Sequence, residues 1–276
     1  MARQLDSATR EALLARVRFY RDLGLTEFYR RPVDPALLAQ LASNPATASE
    51  IFDSTSNPVP AQEEHAVPPR KHMPAAPEIA ALVPATERAA ALQLIREEIG
   101  ECTRCALHKG RNKIVFGDGD PAARLMFVGE GPGADEDAQG LPFVGKAGQL
   151  LNNMIAAMGL RREEVYIANV VKCRPPGNRV PEQEEGATCS PFLFRQIDVV
   201  RPQVLVALGA TAATWLLGSR QPLAGLRGRV HSARGTKLIV TYHPAYLLRD
   251  PRQKKEAWAD LQIAMRELGL KPPGKG

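Results

Sequence analysis

Residues 125–145 read LMFVGEGPGADEDAQGLPFVG. The apolar run Leu125 to Val128 is followed by Gly129, Gly131 and Gly133, and a helical pattern begins near Ala147. Strand, glycine-rich turn, then helix is the order by which α/β proteins open a pocket at a strand end. Glycine lets the backbone turn sharply and approach a ligand closely, and Pro132 stiffens the turn. Glu130, Asp135, Glu136 and Asp137 put carboxylates around the pocket, and Phe143 offers a flat apolar face. The spacing is also half of a dinucleotide fingerprint, with Ala134 where the third glycine would sit. The acidic segment argues against that use, because it delays the helix and would repel a pyrophosphate.

Outward from this stretch the chain alternates. A helix fits 147–158, a strand 165–171, a helix 182–199, a strand 204–208 and a helix 210–217. A short strand near 229–233, a strand over 238–242 and a helix over 253–268 complete the pattern. Apolar strands alternating with amphipathic helices predict an α/β fold, a three-layer αβα sandwich around a mainly parallel sheet. The carboxyl edge of that sheet would gather Gly129-Glu130-Gly131, Asn169, Leu208-Gly209-Ala210 and Tyr242-His243-Pro244. Ligand sites of open α/β sheets lie along that edge.

Toward the N-terminus, a helix fits Thr86 to Gly100, with Leu92, Ile95 and Ile99 on one face. Residues 43–84 hold eight prolines and few large apolar side chains, which predicts a flexible linker. Residues 1–42 read as a small helical arm: Ser7 caps a helix that ends at Gly24, and Asp34-Pro35 starts a second. The pair is too small for a core of its own and suits docking to a partner. The main α/β domain is expected over 85–270.

Charge is uneven. Residues 1–100 carry 11 Lys+Arg against 13 Asp+Glu, and residues 101–276 carry 25 against 17. A basic domain with a locally acidic pocket suits a polyanionic partner and a small uncharged target. No apolar run reaches the length of a membrane span, and MARQLDSATREALL lacks the apolar core of a signal peptide. A cytoplasmic monomer is expected. In that compartment Cys102, Cys105, Cys173 and Cys189 are free thiols or metal ligands rather than disulfides. Four thiolates suit zinc or an iron–sulfur cluster, and spacing alone does not choose between them.

The motifs CTRC (102–105), GEGPGADEDAQGLPFVG (129–145), IANVVKCRPPGNRVP (167–181) and HPAYLLR (243–249), in this order, closely resemble the family 4 uracil-DNA glycosylases. The resemblance covers about residues 95–268. It implies a four-stranded parallel sheet between helices and a 4Fe-4S cluster, with zinc as the alternative, held by Cys102, Cys105, Cys173 and Cys189. It implies that Glu130, Gly131, Pro132, Glu136, Phe143, Asn169 and His243 bind uracil, Phe143 by stacking and Asn169 by reading the base edge. It makes uracil-containing DNA, single- or double-stranded, the partner, and a replication or repair protein the candidate partner of the N-terminal arm.

Those residue types suit the chemistry. Uracil must leave the stack before its glycosidic bond can be reached. An Asn can accept from uracil N3–H and donate to O4, contacts that cytosine cannot reciprocate. A site built this way rejects the mismatch by about 10⁴. Bond cleavage leaves positive charge on the sugar and negative charge on uracil O2, which His243 and turn N–H groups could stabilise at roughly 3–4 kcal/mol per donor. Glu130, Glu136 and Asn178 are candidates for activating water, and Glu136 is the expected base. Tyr246, Leu247, Leu248 and Arg249 are expected to contact DNA, with either leucine filling the gap left by the base and Arg249 on phosphate. Two rival functions are a covalent or non-catalytic uracil-DNA binder and a redox protein. The segment 172–185, KCRPPGNRVPEQEE, lacks the histidine that the covalent group uses.

Overall fold

The computed structural model describes residues 83–271. The helical arm of 1–42 and nearly all of the expected linker lie outside the described residues. Helix α1 (Arg88–Ile99) leads to the first cysteine pair. The strands are β1 (Asp118–Gly119), β2 (Leu125–Gly129), β3 (Tyr166–Asn169), β4 (Val204–Leu208), β5 (Val230–Ala233) and β6 (Thr236–Thr241). The remaining helices are α2 (Ala134–Gln139), α3 (Lys146–Ala157), α4 (Gln183–Val200), α5 (Ala210–Leu217), α6 (Leu223–Leu226), α7 (Pro244–Arg249) and α8 (Lys254–Leu268).

The strands form one six-stranded sheet in the order β1-β3-β2-β4-β6-β5. The central four, β3-β2-β4-β6, are parallel, as expected. The edges differ from expectation, because β1 and β5 add to them antiparallel. The short run near 229–233 is therefore an edge strand of a hairpin. Its turn, Arg234-Gly235, has both residues at positive φ, the geometry that matches strand twist in a two-residue loop. Strand β1 has no apolar signature. A Cβ on Gly119 would lie 1.9 Å from the Val165 carbonyl oxygen, so only glycine allows that pairing.

Strands β2, β3 and β4 are buried at every position, because helices cover both faces. Alternate residues go to opposite faces. Met126, Val128, Leu205 and Ala207 pack with Leu92, Ile95 and Ile99 of α1, and with residues of α4 and α5. Leu125, Phe127, Val204 and Val206 pack with Leu151 and Ile155 of α3 and Leu261, Ala264 and Met265 of α8. Those are the three layers.

One further segment departs from the sequence reading. The acidic stretch, expected to delay the helix, is itself helix α2, and HPAYLLR forms the helical turn α7. In the latter, Pro244 sits at the first helical position, where its missing N–H costs nothing.

Candidate active site

A cavity of about 920 Å³ opens at the carboxyl edge of the parallel strands. Its lining includes Glu130, Gly131, Pro132, Glu136, Phe143, Asn169, His243, Tyr246 and Arg249. Strands β3 and β2 deliver Asn169 and Gly129 in register. Strand β6 delivers His243 two residues beyond its end. The Phe143 and His243 rings lie 5.5 Å apart at 33°. A Cβ placed on Gly129 would fall 2.4 Å from Asn169 Oδ1 and 2.6 Å from Phe143 Cζ, so the amide and the ring close on one backbone point. Phe143, Asn169 and His243 thus share one cavity.

Asn169 is 1 % exposed, and its Oδ1 is buried without a hydrogen-bond partner. A buried orphan acceptor costs roughly 1–3 kcal/mol. It is tolerated where a ligand supplies the missing donor, and an imide N3–H would do so.

His243 caps α7. Its Nδ1 accepts from the Ala245 N–H at 3.1 Å, which leaves Nε2 to carry the proton of a neutral ring. Burial, and secondarily the nearby Arg249 cation, lower its pKa to about 4, against a small opposing effect of Glu136. The ring is therefore a neutral donor at physiological pH.

Phe143 has φ 53°, a left-handed conformation that a bulky side chain avoids. Two clamps hold it. Arg162 donates to the Phe143 carbonyl at 3.1 Å and to the Pro142 carbonyl at 2.5 Å. Glu136 accepts from the N–H groups of Val144 and Gly145 on Oε1, at 2.9 and 3.0 Å, and from Gly133 N–H on Oε2 at 3.0 Å.

That arrangement corrects the role expected of Glu136. Its carboxylate accepts three backbone N–H groups and holds the turn in shape, which is a poor arrangement for a general base. Asp137 also departs from expectation. It points away from the cavity and accepts from Asn112 and Lys113. Glu130 lines the cavity and accepts from Thr211 Oγ1 at 2.5 Å.

Leu247 is corrected as well. It is 1 % exposed and packed inward, so it has no free face for DNA. Leu248 is 44 % exposed, and Arg249 is exposed beside the cavity. Tyr246 stacks on Tyr242 with centroids 5.0 Å apart. The loop 175–180 contributes Pro175, Asn178, Arg179 and Val180 to the rim. Asn178 has φ 55° and accepts from Arg174 Nε, which fits turn formation.

Cys102, Cys105, Cys173 and Cys189 are unpaired and line a second, smaller cavity with Ile99, Arg111, Lys172 and Phe192. Among the described residues, no three His, Cys, Asp or Glu side chains are grouped closely enough to hold a metal ion. Arg111 donates to the Cys102 carbonyl and, at 3.5 Å, to Cys173 Sγ. The Lys172 N–H points at Cys189 Sγ at 3.3 Å. Burial raises Cys105 and Cys189, and lifts Cys173 to about 11. Any group bound through these sulfurs must displace protons.

Sequence reasoning missed Arg162, Thr211 and Arg111. Each acts through a contact to a residue distant in the chain, and none lies in a motif that marks it.

The profile of the uracil DNA glycosylase superfamily matches residues 116–262. A type-4 uracil-DNA glycosylase of Thermotoga maritima is 48 % identical over 161 residues, covering 58 % of this chain and 84 % of the relative. The type-4 enzyme of Archaeoglobus fulgidus is 42 % identical over 187 residues, covering 65 % and 94 %. That of Pyrobaculum aerophilum is 44 % identical over 180 residues, covering 62 % and 92 %. With its sheet-edge cavity and the motifs that line it, the chain belongs to the uracil-DNA glycosylase superfamily and, within it, to the type-4 uracil-DNA glycosylases.

Proposed function

We propose that this protein is a DNA repair glycosylase that takes uracil out of the stack and hydrolyses its N-glycosidic bond, releasing free uracil and leaving an abasic site. The observation that carries the reading is the orphan Oδ1 of Asn169, buried in a cavity shared with Phe143 and His243. The amide accepts from N3–H and donates to O4, and Phe143 replaces the stacking lost on extrusion. His243 donates from Nε2 to O2 as negative charge develops there. The neutral ring suits this task, since it stabilises the anion without giving up a proton.

Water adds to the sugar cation. Glu136 is tied to the turn, and Asp135, the third motif carboxylate on the lining, is exposed, so we assign the positioning of that water to Glu130 at the end of β2. Leu248 fills the vacated stack and Arg249 holds phosphate on uracil-containing DNA, single- or double-stranded. Among the described residues no helix is long and apolar enough to cross a membrane. We place its work on DNA in the cytoplasm, as a monomer.

The four cysteines fit an iron–sulfur cluster. All four border one cavity, and the donor set is all sulfur. Zinc is the alternative, since four thiolates also hold that ion tetrahedrally. When bound, the cluster supplies a cross-link between the chain after α1, the segment after β3, and α4.

Base release from oligonucleotides containing uracil, thymine or hypoxanthine, by the wild type and Asn169→Asp, tests the reading. Free uracil and an abasic site from the wild type, with release crippled in the variant, is the expected result. An SDS-resistant adduct in place of free uracil would overturn it.

A further inference from the structure

Resting on the assignment of Asn169 as the uracil reader, we propose that Lys172 is a positioning residue for base recognition. It pins the strand end that carries Asn169 to the helix that carries Cys189.

Lys172 is 1 % exposed and is among the largest fully buried side chains. Lysine is rarely buried without a partner that takes its donors. Here Nζ donates to the backbone carbonyl of Asn169 at 2.9 Å and to Gln196 Oε1 at 2.5 Å. Gln196, on α4 and itself fully buried, donates to the Phe116 carbonyl at 3.0 Å and to Tyr166 Oη at 3.3 Å. One buried network thus joins both ends of β3 to α4.

The network matters because of what Asn169 lacks. A reading amide is usually locked by hydrogen bonds from its surroundings. The Asn169 Oδ1 has none in the protein. Its direction is set by the close approach to Gly129 and by the backbone of residue 169, the last of the strand. What fixes that backbone fixes the reader, and Lys172 holds its carbonyl. A misplacement of about 1 Å at a reacting centre costs on the order of 10²-fold in rate.

A double-mutant cycle on the full-length protein, with its cysteine-bound group in place, tests this. Single-turnover uracil release is measured for the wild type, Lys172→Met, Asn169→Ala and the double variant. If Lys172 acts through Asn169, Lys172→Met slows release by about 10–100-fold in the wild-type background. It then slows release by less than about twofold where Asn169 is already gone. Inhibition by free uracil weakens in parallel, while affinity for an abasic oligonucleotide is unchanged.

Equal losses in both backgrounds, or wild-type release by Lys172→Met, would overturn the proposal and leave the glycosylase assignment standing. Failure of the wild type to release uracil would instead remove the assignment itself. Should Lys172→Met not accumulate as folded protein, Gln196→Met removes the second anchor of the ammonium and is read through the same cycle, with the same two outcomes deciding.

Discussion

The nucleobase cavity and the four-cysteine cavity are separated by only Val170 and Val171 along the chain, yet they are built in opposite ways. The first is made of backbone. Turns at strand ends are clamped by carboxylate and guanidinium hydrogen bonds, and a few side chains are left with unused capacity. The second is made of side chains, four thiols brought from the end of α1, the segment after β3 and the body of α4 into an apolar layer. The first keeps unsatisfied groups for a ligand. The second gathers distant segments around a group that would hold them together. Damage to the first should therefore appear in rate, and damage to the second in stability.

The sharpest break is Asn169→Asp. It is expected to lower uracil release by about 10⁴-fold, since the site then presents a charge to the base edge. Thermal unfolding, and the absorbance of the proposed cluster, should stay as in the wild type. Loss of folding in that variant would collapse the distinction between the two regions. His243→Ala removes one charge-stabilising donor and should cost about 10²–10³-fold in kcat with little change in KM.

The pH profile sharpens the point. With its pKa lowered from the ordinary 6.5 to about 4, His243 stays neutral in the folded enzyme down to that pH. The His243-dependent part of the rate should thus be flat across neutral pH and fall only near about pH 4. Stability follows the same sign. Between about pH 6.5 and 4 the unfolded chain takes up a proton that the folded ring refuses, so stability falls as pH falls through that window. Urea unfolding of the wild type against His243→Asn measures it.

Cys173→Ser is the converse of Asn169→Asp. If the proposed cluster is held there, the substitution should abolish its visible absorbance and lower the melting temperature, with activity lost only as far as folded protein is lost. The smallest effects separate the two adjacent leucines. Leu247→Ala should destabilise by about 2–5 kcal/mol, as a buried truncation does, with folded enzyme still active. Leu248→Ala should leave unfolding unchanged and weaken release from duplex DNA severalfold more than from single strands.

The sequence made the parallel centre legible because its signal is local. Runs such as Leu125 to Val128 and Val204 to Leu208 can only be strands buried on both faces. The shared edge of Gly129, Asn169 and His243 followed from that order, and Phe143 followed from its motif. The rest lay in contacts across the chain. Glu136 looks in sequence like any cavity carboxylate, and only the three N–H groups converging on it reveal a clamp. Leu247 and Leu248 are indistinguishable until the helical turn of α7 sends one inward and the other out. Strand β1, two residues long and polar, carries no periodicity to read.

Gly129 has a consequence of its own. The space for its missing methyl group is already taken by the edges of Asn169 and Phe143, so both side chains must shift to admit it. One added carbon should lift the pocket floor and blind the protein to its base while the basic surface still grips the strand. The least possible lesion at that position would turn a repair catalyst into an obstacle seated on intact DNA.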